Sequence, residues 1–182
     1  MGFSISWIAI SGHSKASVLS SLSLVDTGEP DEANESPISG GELPGGWYLM
    51  FFNDIVHPFT RKPQLTKMSA GGSVLVCQVE EHVMASAAFM YVNGVKAWDV
   101  THESEKGLYN ISTEGCPPIA LQAIQAELKA AQDADGGDEA DVDHIFDVPV
   151  ALAAALCGYR HDRVALVSGE EPQFTKLVGA CA

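Results

Sequence analysis

The stretch Ser73–Glu114, SVLVCQVEEHVMASAAFMYVNGVKAWDVTHESEKGLYNISTE, decides how the chain is read. Runs of β-branched, aromatic and small residues alternate with turn signals, which predicts an antiparallel β-meander. Asn93-Gly94 lies between two β-prone runs. Both central positions of a type I′ turn need positive φ, which Asn and Gly tolerate best. A two-residue loop there sets Val92 opposite Val95; counting back pairs Phe89 with Trp98, Ala87 with Val100 and Ala85 with His102. The Ser104-Glu105-Lys106-Gly107 turn then sets Val100 opposite Ile111 and His102 opposite Tyr109. On that register Phe89, Tyr91, Trp98, Val100, Ile111 and Tyr109 share a core face, while Ala88, Asp99, Thr101, Asn110 and Ser112 form a wetter one. No motif on the stretch names a reaction.

Working outward, Phe3–Ile10 reads as a buried strand stopped by Gly12, and Ser14 as the cap of a short helix carrying Val18, Leu19 and Leu22. Asp26–Gly46 is poor in apolar residues and rich in Asp, Glu, Ser, Pro and Gly. It reads as a long loop holding at most a short edge strand, with Ser39-Gly40-Gly41 as a turn. Trp47–Phe52 is a buried strand, and Leu65 to Met68 a short helix ended by Gly71-Gly72. After the meander, Pro117-Pro118 opens a helix with Leu121, Ile124 and Leu128 on its buried stripe, ending near Asp133. Asp147 caps a second helix, apolar nearly all round, that Gly158 ends; beyond it Arg163–Val167 is a possible strand. With no internal repeat and no composition break, the expectation is one α+β domain over residues 1–182. Its sheet is mainly antiparallel, with helices packed on one face.

Composition bounds the function. The 182 residues suffice for one well-buried core, and 46% hydrophobic content describes a globular chain. No apolar run approaches the roughly 18 to 20 residues of a membrane span. The apolar start MGFSISWIAISG has no basic residue before it and reads as a strand, not a signal peptide. Cys77, Cys116, Cys157 and Cys181 are far apart without CxxC spacing, which fits reduced thiols in a cytoplasmic protein. Cys116, between Gly115 and Pro117, is the one in a loop-like context. Ten basic against twenty-four acidic residues leave a formal charge of −14. That field repels nucleic-acid phosphates and anionic lipid surfaces, and favours cationic partners.

Candidate chemistry is weak by comparison. Two histidines and several carboxylates gather at one end of the meander, around Glu80, Glu81, His82, His102, Glu103 and Tyr109. Side-chain alternation along a continuous strand puts His82 and His102 on opposite faces, which argues against a shared metal or acid–base site. DADGGDEADVDHIFD (Asp133–Asp147) holds seven acids in fifteen residues but fails the calcium-loop pattern. Counting from Asp133, its sixth position is Asp138 where glycine is needed, and its twelfth is His144 where a glutamate is needed. Tyr159-Arg160-His161-Asp162-Arg163 suits anion recognition, yet cations also gather at a helix C-terminus for local reasons. His57-Pro58-Phe59 with Arg61 and Lys62 is a basic island.

The sequence therefore favours a non-catalytic acidic binding protein that docks a basic protein partner, without cofactor or metal. An immunity- or antitoxin-like inhibitor of a cationic toxin is its concrete form. The contact residues would be Asp31, Glu32 and Glu35 from one acidic segment, and Asp135, Asp138, Glu139, Asp141 and Asp143 from the other. A rival is an enzyme using His102, Glu103, Tyr109 and Cys116. A third is a structural or oligomeric subunit without small-molecule chemistry.

Overall fold

The computed structural model describes residues 2–180. Nine strands form one antiparallel sheet: β1 (Ser4–Ser11), β2 (Leu24–Pro30), β3 (Ile38–Leu43), β4 (Trp47–Phe52), β5 (Ser73–Glu80), β6 (Ala85–Val92), β7 (Val95–Glu103), β8 (Ile111–Gly115) and β9 (Thr175–Gly179). They lie side by side in the order β2-β9-β3-β4-β1-β5-β6-β7-β8. Among the described residues four α-helices accompany the sheet: α1 (Lys15–Ser21), α2 (Lys62–Met68), α3 (Ala120–Ala134) and α4 (Asp147–Cys157). The architecture is α+β, and β5 to β8 are the expected meander.

Both faces of the sheet are covered. Trp7, Ala9, Leu49, Phe51, Leu75 and Cys77 point to the face that α3 and α4 close, meeting Leu121, Val150, Leu152 and Ala153. Alternate residues on the same strands, Ile8, Ile10, Met50, Phe52, Val74 and Val76, meet Val18 and Leu19 of α1 and Leu65 and Met68 of α2. This is why the central strands read as continuous apolar runs without alternation. The sequence predicts helices on one face only; the two longer helices lie there together, but α1 and α2 cover the opposite face, because the central strands are apolar on both sides.

The Asn93-Gly94 turn forms as expected, with φ of 49° and 82°, and Val92 pairs with Val95. The register then slips. Tyr91 pairs with Lys96 but Met90 with Trp98, so Ala97 is an extra residue on β7. From there Ala88 faces Val100, Ser86 faces His102, and on the other side Ile111 faces His102. The single core face read from the sequence is thus divided. Trp98, Val100 and Ile111 pack beneath α3 and α4, whereas Phe89 and Tyr91 pack on the α1/α2 side. Tyr109 precedes β8 and is exposed.

The stretch expected to be a loop holds two strands, and β3 is interior. Gly40 and Gly41 sit within β3, not in a turn. A Cβ on Gly40 would run into the Tyr48 hydroxyl and lie 2.8 Å from Leu177 Cδ1; one on Gly41 would lie 2.6 Å from the Gln173 carbonyl. The glycines mark close approach, a use that composition does not separate from turns. No strand forms at Arg163–Val167; the C-terminal strand is β9, inserted between β2 and β3. Asp147 makes no capping bond at α4. Asp143 Oδ1 instead accepts the Phe146 N–H at 3.0 Å, just ahead of the helix.

Candidate functional site

The polar cleft with the most acidic margin lies between the turn after β2 and the segment joining α4 to β9. The turn is organised by Asp31, whose buried carboxylate accepts the N–H groups of Glu35 (2.9 Å) and Ser36 (3.1 Å). Asp31 N–H donates to the Phe174 carbonyl at 2.9 Å, tying this wall to the other at the base. Asn34, at φ 53°, accepts the Ser39 hydroxyl through its side chain, and Asn53 Nδ2 donates to its carbonyl at 2.6 Å.

The opposite wall starts where Gly158 ends α4. Tyr159 is buried edge-on to Trp7 and Phe174, with ring centroids 5.5 and 5.6 Å away. Arg160 then clamps the chain: its Nη2 meets Asp147 Oδ1 at 2.8 Å, and its Nε meets Asp162 Oδ1 at 2.6 Å. Burial opposes the charge on Asp162, but Arg160 outweighs it and holds the carboxyl below its usual range. Val167 N–H to the Gly158 carbonyl (2.9 Å) and Leu166 N–H to the Glu170 carbonyl (2.8 Å) fold the segment back on itself. His161 packs its edge on Phe3 at 5.0 Å; its Nδ1 is buried without a partner, and burial lowers its pKa.

Between these walls is a cleft of about 330 Å³, with Glu32 and Asn34 on one side and Arg163, Glu171 and Gln173 on the other. Ala33 and Asn34 also border a broad depression of about 870 Å³ on the far side of the turn, which Glu35, Asn53, Asp54 and His57 line. Glu32 and Glu35, two of the predicted contact residues, therefore flank a ridge between two hollows. Asp31, the third, is spent inside the turn.

The second acidic segment is largely committed to itself and to the sheet. Tyr109 donates to Asp133 Oδ1 at 2.6 Å, and this hydrogen bond raises the phenol to about 12. Gln132, fully buried, donates to the Gly137 carbonyl (2.8 Å) and accepts the His144 N–H (2.7 Å). His144 Nε2 meets Asp135 Oδ2 at 2.6 Å, and Asp143 Oδ2 meets His102 Nε2 at 3.0 Å. Asp138, Glu139 and Asp141 remain exposed. This segment lies over the β7–β8 end, while the Asp31 turn joins β2 to β3. β3 is third and β7 eighth in the sheet, about 24 Å between strands at roughly 4.8 Å per strand, although the end of the second segment, Asp147, reaches the cleft wall through Arg160.

The four catalytic candidates do not converge. His102 is fully buried, with Nδ1 at 2.8 Å from the Asn110 carbonyl and Nε2 on Asp143. Glu103 pairs with Lys106 at the surface, and Tyr109 is held by Asp133. Cys116 is exposed beyond the far end of β8, its N–H on the Ala97 carbonyl at 3.2 Å. His82 sits in the β5–β6 turn on Glu80 Oε1 at 2.6 Å, away from His102. Among the described residues no group of three or more His, Cys, Asp or Glu is arranged to hold a metal ion, and no helix is long and apolar enough to cross a membrane. Cys181 lies outside the described residues.

Sequence reasoning singled out Tyr159–Arg163 on this wall, as a place for anions, but missed Glu171 and the segment that carries it. The available signal was Ser168-Gly169-Glu170-Glu171-Pro172, a turn-forming acidic run directly ahead of the β-prone FTKLV. The chain matches no protein-family model, no curated protein and no solved structure.

Proposed function

We propose that the protein is a non-catalytic acidic binding protein that docks a basic protein partner, an inhibitor that masks a cationic toxin being the concrete form. The observation that carries this reading is how the charges are distributed between internal pairs and open surface. Lys15, Lys96, Lys106, Arg160 and Lys176, half of the ten cations, are engaged in ion pairs with the chain's own carboxylates. Glu32 and Glu171 line the cleft, Glu35 borders the neighbouring depression and Glu170 adjoins Glu171 in the chain; all four are exposed and make no ion pair among the described residues. A chain of formal charge −14 whose cleft sets Glu32 and Glu171 against the single Arg163, unpaired among the described residues, keeps a net acidic margin, which attracts cations over long range. Free thiols at Cys77, Cys116 and Cys157 fit a reducing, cytoplasmic setting for this function.

The test is equilibrium binding of fluorescein-labelled deca-arginine to three chains: the natural one, one with Glu32, Glu35, Glu170 and Glu171 changed to Gln, and one with D138N, E139Q and D141N. Binding that weakens mainly in the first variant supports the reading. Equal affinity for all three chains removes it.

A further inference from the structure

We infer that the outer edge of β8 takes up an extended strand of the basic partner by antiparallel pairing, and that an aliphatic side chain of that strand seats in the hollow between β8 and α3. This rests on the acidic-binder reading for the sign of the partner's charge, and adds a docking edge at the other side of the sheet from the cleft.

The two ends of the sheet differ. β2, at one end, is guarded: its pairing shifts between Asp26 and Pro30, Asp26 Oδ1 accepts the Gly28 N–H at 2.8 Å, and Thr27 Oγ1 accepts the Glu29 N–H at 3.1 Å. A shifted register, a proline and N–H groups already bonded all stop a further strand from adding. β8, at the other end, carries no proline and pairs with β7 in unbroken register from Ile111 to Gly115. Among the described residues β7 is its one neighbour, and residues 112–115 are exposed. In an antiparallel ladder alternate residues turn their N–H and C=O groups to one side and the residues between them to the other. With β7 on one side, half of the backbone groups of β8 are offered outward.

A second feature lies beside that edge. A hollow of about 310 Å³ separates Ile111 of β8 from α3, with Tyr109, Gln125 and Lys129 around it and the core residues Ile145 and Val148 beneath. An open strand edge next to a hollow with an apolar floor is what strand addition uses: the backbone supplies affinity, and the hollow selects alternate side chains. Charge selects the occupant. Two chains of −14 repel each other, so a basic strand fits better than a second copy. A Cβ on Gly137 would lie 3.3 Å from Tyr109 Oη, which sets the exposed, unpaired Asp138 and Glu139 at the end of the hollow. Glu114 is already engaged by Lys96 at 2.9 Å. Lys129 sits 5.7 Å over the Tyr109 ring, at a rim that meets an uncharged side chain of the incoming strand.

The experiment is an amide NMR titration of the full chain with the peptide acetyl-Lys-Val-Lys-Leu-Lys-Val-Lys amide. It is repeated with two N-methylated forms, one methylated on Val, Leu and Val and one on the lysines. Only alternate N–H groups of an added strand reach β8, so one methylated form is expected to bind at least about tenfold more weakly and the other as well as the parent. Saturable shifts are expected at residues 109–116 and 125–129, and alanine in place of the central leucine is expected to weaken binding by about tenfold. Methylated forms that both bind like the parent, or both fail, overturn the inference. Shifts confined to residues 136–141 that both methylated forms reproduce remove the strand edge and leave the acidic-binder reading standing. A peptide with glutamine for lysine that binds β8 as tightly as the parent overturns the basic identity of the strand. Broadening at residues 109–116 that grows with protein concentration alone gives the edge to a second copy, and overturns the inference too.

Discussion

His102 and Asp143, one from the interior of β7 and one from the acidic segment ahead of α4, are hydrogen-bonded to each other at 3.0 Å. One is a residue type that suggests catalysis and the other one that suggests a docking surface. The bond pins the acidic segment onto the sheet, and the remaining imidazole nitrogen meets the Asn110 carbonyl at 2.8 Å.

Replacing either partner strands the other in the core. His102→Ala and Asp143→Ala are each expected to cost about 2 to 4 kcal/mol in urea unfolding, the range for orphaning a buried charged or polar group. The double variant should cost less than the two singles added together. Additive losses would show that the contact carries no coupling.

Gly40→Ala forces a methyl against the Tyr48 hydroxyl and Leu177, and is expected to destabilise by about 2 to 3 kcal/mol. The Tyr48 hydroxyl is buried without a hydrogen-bond partner. Tyr48→Phe alone is therefore neutral or stabilising, and combined with Gly40→Ala it recovers about 1 kcal/mol or more. The check is a double-variant cycle in chemical denaturation. A Tyr48→Phe change that destabilises on its own would contradict the close packing described for β3.

Stability falls as pH falls, in two stages. Burial lowers the pKa of His161 (beside Asp162 and Arg160) and of His57 (beside Asp54 and Arg61). Between each folded value and the ordinary histidine value near 6.5, the unfolded chain binds more protons, so stability present above about 6.5 is lost on acidification. Asp162 is lowered too, against the effect of its own burial, as is Glu80, chiefly by the Ser4 hydroxyl; their contributions are lost further down, through the carboxylate range. The urea midpoint measured from pH 8 to pH 3 should show both stages, and a chain with His57→Gln and His161→Gln should lose the first. A midpoint flat from pH 7.5 to 5 would contradict the buried neutral histidines.

Cysteine mapping by alkylation and mass spectrometry should find Cys116 modified in the native protein, and Cys77 and Cys157 only on unfolding. Burial pushes Cys157 up to about 11 and Cys77 higher still, and both lie in the core. Native labelling of either would mean that the face beneath α4 opens readily.

Much of the fold was legible because local chemistry fixed it. Asn93-Gly94 set a turn, Pro117-Pro118 and Gly158 bracketed the helices, and WYLMFF had the composition of a buried strand. What escaped depends on contacts distant in sequence. The Ala97 bulge leaves no mark in composition, yet it moves every later pair by one and exchanges the faces of the residues before it. β3 looked like a turn because its glycines are there to admit Tyr48, from β4, and Phe174, from the segment just ahead of β9. The cleft was illegible for the same reason: Glu32 was visible as an acid, but its neighbour Glu171 lies 139 positions later. In the second acidic segment, seven carboxylates among fifteen residues say nothing of the histidines, tyrosine and arginine that engage Asp133, Asp135, Asp143 and Asp147, while Asp138, Glu139 and Asp141 stay exposed.

The most direct test of the acidic-binder account is the association rate of labelled deca-arginine by stopped flow, at about 20 mM and about 300 mM NaCl, where screening lengths differ severalfold. The account predicts a rate at least about tenfold faster at low salt, because a −14 chain steers the cation inward. A rate that stays the same across that range would contradict it.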